Sequence, residues 1–142
     1  GKINWVLGPS VSDKDMIVER VKDLNLDITP IIDYKNMGKL YYHSDLSVSA
    51  AGFGLYEVAC VGLPAVSVCL DSHQMKTAKK FEEKGCVLNL GHYKRFRHDT
   101  LKNTLLKLID DRSLRSSMSR KGKAYVDGLG IKRVLKIINE TL

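Results

Sequence analysis

Two short segments carry residues suited to holding an anion or a sugar. The first runs Ala50-Ala51-Gly52-Phe53-Gly54, with Glu57 three residues further on. It joins an apolar, strand-like run to a helix-like one. A helix starting near Gly54 leaves several backbone N–H groups without a helical partner, and its dipole favours negative charge at that end. Glycine permits close approach of a phosphate, and equally the positive φ of a tight turn. Two readings stay open: a plain strand-to-helix turn, or an anion site with Glu57 one turn along to accept hydrogen bonds from a diol. The segment is neither a Walker loop nor G-x-G-x-x-G.

The second segment is Asp71-Ser72-His73-Gln74, polar directly after a strictly apolar run. Asp71 or Ser72 suits a helix cap whatever the function. Gln74 offers both an amide donor and an acceptor, as sugar hydroxyls require. His73 is an acid, a base or a neutral hydrogen-bonding group, or a surface residue with no chemical role. The basic run His92-Tyr93-Lys94-Arg95-Phe96-Arg97-His98 reads as a solvated loop in preference to an RNA or acidic-lipid contact. Ser119-Arg120-Lys121-Gly122-Lys123 reads as an exposed helix face.

The elements that must position these segments alternate strand and helix. Strands are expected at Ile3–Gly8, Asp27–Ile32, Leu46–Ala50, Ala65–Leu70 and Cys86–Leu90. Ser12 and Asp15 resemble a capping box opening a helix with Ile17, Val18, Val21 and Leu24 on one side. Leu55, Val58, Ala59 and Gly62 follow a helical period that Gly62-Leu63-Pro64 stops, and Gly85 closes the next helix. Pro30 marks its strand as an edge strand or one that ends early. From Asp99 onward the pattern is helical, broken at Asp127-Gly128-Leu129-Gly130. Five strands separated by helices predict an open, mostly parallel α/β sheet of the doubly wound, Rossmann-like type with helices on both faces. Ligands in such sheets bind at the carboxyl ends of the strands. That rule selects the loops Gly8–Ser12, Ala51–Gly54 and Asp71–Gln74.

The 142 residues suffice for one well-cored domain, expected to span 1–142, and not for two ordinary ones. A composition of 44% hydrophobic and 27% charged residues is that of an ordinary globular chain, without a run of the ~20 apolar residues that crosses a bilayer. The first residues do not read as a signal peptide. The chain also does not open on Met, which suggests a domain cut from a longer one. Cys60, Cys69 and Cys86 lack zinc-ligand spacing and read as buried free thiols of a reducing, cytoplasmic protein. No metal and no cofactor is expected. A net charge of +7 points to an anionic partner: nucleic acid, an acidic membrane surface or a phosphorylated small molecule.

The stretch from Asn36 through Gln74 to Gly91, together with the tail Tyr125-Val126-Asp127-Gly128-Leu129-Gly130-Ile131-Lys132-Arg133-Val134, resembles the nucleotide-binding half of GT-B nucleotide-sugar enzymes. The PseG-type UDP-sugar hydrolases and SpsG-type spore-coat polysaccharide proteins are the nearest branch, and MurG-type glycosyltransferases are more distant. The resemblance implies the C-terminal half of a two-domain enzyme that binds a UDP-sugar. Ala51, Gly52, Phe53 and Gly54 would offer backbone groups to the diphosphate, Glu57 would meet the ribose, and His73 and Gln74 would face sugar or diphosphate. Gly8 and Ser10 would line the same cleft. The resemblance places the catalytic base in an N-terminal domain or partner subunit, so this chain alone is expected to be inactive. A PseG-like hydrolase in surface-polysaccharide or nonulosonate-type sugar synthesis is the first expectation, and a MurG-like transferase the alternative. A basic nucleic-acid-binding module comes third; nucleic acid is not expected as a partner, and weak contact with an acidic membrane is. Phe53, Gly54 and His73 depart from the family pattern, where a small residue, a hydroxyl residue and Asn are usual.

Overall fold

The computed structural model describes residues 1–141. Seven helices and five strands occur among them, in two compact units, Gly1–Met37 and the chain from Gly38 onward.

The first unit is β1 (Ile3–Leu7), α1 (Lys14–Lys22) and β2 (Ile28–Ile32), the two strands pairing in parallel with Trp5 opposite Pro30. The expected capping box at Ser12 and Asp15 does not form. Asp13 precedes α1 in the left-handed region, at φ 54°, and its side chain makes no cap bond. The Lys14 ammonium instead donates to both carboxylate oxygens of Asp33, at 3.0 and 3.1 Å. That contact spans nineteen residues, so no local motif announces it.

The second unit contains α2 (Met37–Tyr42), whose first residue lies at the boundary, then β3 (Ser47–Ser49), α3 (Gly54–Val61), β4 (Ala65–Cys69), α4 (Ser72–Glu83) and β5 (Val87–His92). Helices α5 (His98–Asp110), α6 (Arg112–Tyr125) and α7 (Gly130–Thr141) complete it. Its sheet is parallel in the order β3-β4-β5. The five anticipated strands are all present, hydrogen-bonded as a pair and a triplet where one sheet was expected.

Central strand β4 is apolar on both faces, and both are covered, as parallel strands require. Ala65 and Cys69 pack with Leu55 and Val58 of α3 and Phe81 of α4. Val66 points the other way, to Leu108 of α5 and Met118 of α6. Ser67 is the buried polar residue of the strand, its hydroxyl reaching Asn89 Oδ1 at 3.5 Å. Asn89 also accepts the Gly91 N–H at 2.9 Å. These bonds sit where β5 gains one residue on β4, so that Cys69 faces His92. Gly91, at φ 79°, takes up the backbone turn this demands.

Glycine stops α3 as its position predicted. Gly62 adopts φ 76°, and Leu63 N–H returns to the Val58 carbonyl at 2.8 Å. Gly122 acts differently, by size. A Cβ there would stand 3.0 Å from the Ala59 carbonyl oxygen and 3.3 Å from its Cα, so α6 touches α3 backbone to backbone. On α7, Ile131, Val134, Leu135, Ile137 and Ile138 are all exposed. No helix among the described residues is long and apolar enough to cross a membrane.

Gly122→Val must push α6 off α3 and is expected to destabilise the chain by about 1–3 kcal/mol, the usual range for overpacking. Urea denaturation followed by circular dichroism measures the change, with Gly130→Val, whose Cβ would meet open space, as the control.

Candidate functional site at the carboxyl edge of the second sheet

Parallel pairing brings the ends of β3, β4 and β5 to one edge, and three loops meet there: residues 50–53, Leu70–Asp71 and Tyr93–Arg97. Each of them leads into a helix, and the N-termini of α3 and α4 differ in charge.

At α4 the Asp71 carboxylate accepts the Gln74 N–H at 2.8 Å, as its cap position predicted. Gln74 reaches back with Oε1 to the Leu70 N–H at 2.9 Å. Its acceptor is therefore occupied, and its amide N–H groups are what it offers to the loop. His73 is exposed on the first turn of α4. The Asp71 charge makes this end a poor phosphate site and a reasonable one for hydroxyl groups.

At α3 the position before the helix is held by Phe53, which supplies no side-chain cap. Among the described residues the N–H groups of Gly52, Phe53 and Gly54 have no hydrogen-bond partner, while the Gly52 and Phe53 carbonyls accept from Leu55 and Tyr56 at 3.1 and 3.0 Å. Three consecutive free donors at the positive end of a helix dipole are an anion-binding arrangement. Gly52 has an ordinary negative-φ backbone, and a Cβ built on it would meet nothing within 4 Å. The turn itself therefore does not require glycine at this position. Ala51 is buried beneath the turn, and the Phe53 side chain is 89% exposed.

Glu57 is exposed one turn along α3. The Tyr41 hydroxyl of α2 lies close to its carboxylate, and both line a pocket with Tyr56 and Cys60. Burial first, and then the Glu57 charge, raise the Tyr41 phenol above its ordinary value. Tyr41 lies sixteen residues before Glu57 and could not be paired with it from spacing.

The loop after β5 adds Lys94, Arg95 and Arg97 to the same edge. It is anchored by Tyr93 N–H to the Cys69 carbonyl at 2.9 Å and by Lys94 N–H to His92 Nδ1 at 3.2 Å. It is a solvated loop, as expected, standing beside the other two. Gly8 and Ser10 belong to the first unit, in the turn after β1 that Val11 N–H closes on the Gly8 carbonyl at 3.2 Å.

Cys69 and Cys86 are buried free thiols, Cys60 a half-buried one. Burial pushes both buried thiols up, with Asp71 and Glu82 adding to the effect at Cys69. Among the described residues no three His, Cys, Asp or Glu side chains gather as a metal site.

The fold and this edge are those of an α/β domain with its loops gathered at the carboxyl ends of parallel strands, and the sequence comparisons identify its family. The chain matches the glycosyltransferase family 28 C-terminal domain over residues 2–133 and belongs to that family. It is 33% identical over 105 residues to the spore coat polysaccharide biosynthesis protein SpsG of Bacillus subtilis, covering 74% of this chain and 31% of SpsG. It is 33% identical over 78 residues to human UDP-glucuronosyltransferase 1A9, covering 55% of this chain and 14% of that protein. Acinetobacter baumannii MurG superposes with a TM-score of 0.75 at 24% identity, over 98% of this chain and 40% of MurG. The glycosyltransferase VinC, solved in complex with dTDP, gives 0.72 at 18% identity, over 97% and 41%. These two likenesses show a shared fold, that of GT-B glycosyltransferases.

Tyr41, Cys69 and Cys86 all hold their protons more tightly in the folded chain than in the unfolded one. Their contribution is intact below the unfolded values of 9.0 for the thiols and 10.0 for the phenol, and is lost as pH rises through that range. The urea midpoint is expected to begin falling near pH 9 on this account, and Tyr41→Phe should remove part of the loss above pH 10.

Proposed function

We propose that this chain is the donor-binding domain of a sugar-transferring enzyme, and that it holds the diphosphate of a UDP-sugar at the N-terminus of α3. The observation that carries the reading is the trio of unpartnered N–H groups at Gly52, Phe53 and Gly54, above a glycine that the backbone does not need. Membership of the family 28 C-terminal domains supports it. Glu57, braced by Tyr41, accepts from the ribose hydroxyls. Gln74 donates its free amide N–H groups to the sugar, and His73 stands beside it. Lys94 and Arg95 extend the positive field over the leaving diphosphate.

In this scheme the domain orients the donor and stabilises the charge that develops on the departing UDP. The chain spans about a third of SpsG and two-fifths of the two solved glycosyltransferases, so the acceptor site and catalytic base are assigned to a further domain or subunit. Likeness to SpsG favours a polysaccharide product, and the free thiols favour a reducing, cytoplasmic setting. A PseG-like hydrolase is the second reading. It rests on the tail motif, in which Asp127 accepts the Leu129 N–H at 3.0 Å and pairs with Arg133. Assaying the complete enzyme with a UDP-sugar separates the two, since hydrolysis releases free sugar without an acceptor.

UDP added to the isotope-labelled chain is expected to shift the amide resonances of Gly52, Phe53 and Gly54. Gly52→Val should abolish these shifts while keeping the wild-type melting temperature, because its Cβ meets open space. No shift at millimolar UDP would overturn the reading. Glu57→Ala is expected to weaken UDP binding by about 1–3 kcal/mol through lost charged hydrogen bonds, read by calorimetry.

A further inference from the structure

The outer face of α6 carries a cluster of charge that the donor site does not use. Arg112, Ser116, Ser119, Arg120 and Lys123 line one open groove of about 580 Å³. Their spacing places them in one stripe along the helix. The facing wall is built by Tyr42 at the end of α2, Asp45 of the α2–β3 connection, and Leu63 and Pro64 before β4. These wall residues lead into the strands, with Ser47 N–H bonded to the Pro64 carbonyl at 2.9 Å. The groove therefore lies at the amino edge of the sheet. The five residues of β4, roughly 17 Å, separate it from the α3 N-terminus.

Three features mark it as an anion site. Arg112, Arg120 and Lys123 face a single lining carboxylate, Asp45, and among the described residues none of the three has an acid within ion-pair distance. Arg115, the fourth cation, shows the contrast: its guanidinium donates to the Leu108 and Ile109 carbonyls at 2.5 and 2.6 Å and closes α5. Second, Arg120 and Lys123 stand at i, i+3, a like-charge pair that destabilises a helix unless an anion lies between. Third, the glycine that ends α3 with its positive φ also leaves room for Lys123 and Ser119. A Cβ at Gly62 would stand 2.3 Å from Lys123 Cε and 2.7 Å from Ser119 Oγ, so the bare glycine lets both side chains lie across the end of α3.

Guanidinium, ammonium and hydroxyl donors converging on an open groove match the oxygens of a phosphate group. We propose that the groove is a second phosphate-binding site, separate from the α3 N-terminus, which takes either the headgroup phosphate of an anionic lipid or a soluble phosphate compound.

The test uses the whole chain and two probes. Inorganic pyrophosphate is titrated while the Ser116–Lys123 amides are followed. Sedimentation is measured with vesicles of equal parts phosphatidylglycerol and phosphatidylcholine, and with phosphatidylcholine alone. Arg120→Gln combined with Lys123→Gln changes two exposed side chains and keeps good helix formers, and its melt is compared with wild type. Pyrophosphate shifts on α6 that weaken at least about ten-fold in the variant, with the Gly52–Gly54 amides still responding, assign a soluble phosphate. Sedimentation with the anionic vesicles alone, lost in the variant, assigns the lipid. Absence of both responses, or their survival in the variant, overturns the proposal. Arg112→Gln, at the other end of the stripe, provides the same comparison if the double variant melts early.

Discussion

Burial of β4 on both faces is the constraint from which the rest of the second unit follows. Ala65, Val66 and Cys69 alternate between two apolar clusters, so neither face can be left to water. Helices α3 and α4 have to cover one face, and α5 and α6 the other. Neighbouring strands joined by a covering helix must run parallel, because each helix returns the chain to the starting edge. All three strands then finish together, and two helices begin where they finish. The gathering of polar loops at one edge is thus a result of packing an apolar strand, before any ligand is considered.

That edge is differentiated by one carboxylate. Asp71 satisfies the orphan N–H of Gln74 and partly neutralises the dipole of α4. Phe53, in the equivalent place before α3, has no group that could do so. Of two helix ends side by side, the chain fills one with its own negative charge and leaves the other without a side-chain cap. The basic loop after β5 biases the same edge further, and its position is set by a purely structural device, the Asn89-centred bulge that places His92 opposite Cys69.

Features written in local chemistry were legible in the sequence. Alternation of apolar runs fixed the order of strands and helices, Gly62 and Gly85 marked helix ends through their positive φ, and Asp71 marked a cap. Features that depend on distant partners were not. Ser12 and Asp15 looked like a capping box, but Lys14 is committed to Asp33 across nineteen residues. Gln74 looked free to accept, but the strand end before it uses that oxygen. The meaning of Gly52 could not be read either, because a glycine for a strained turn and a glycine for close approach of a ligand look the same in sequence. Arg120 and Lys123 looked like part of an exposed face and are exposed, but nothing in their spacing reveals that Lys123 lies against Gly62.

The parallel triplet also bears on how the chain reaches its folded state. Each strand of the second unit meets its partner after a single intervening helix, with Ser47 paired to Ala65 and Ala65 to Val87. Closing loops of that size carries only a modest entropic penalty, which grows slowly with length. Each pairing in the sheet waits only for the helix between its two strands, although parallel pairing across such a span forms more slowly than the local contacts of a helix. The unit can therefore assemble in steps, in the order in which a ribosome would release it: β3 with α3 and β4 first, α4 and β5 next, and α5 and α6 closing the second face last.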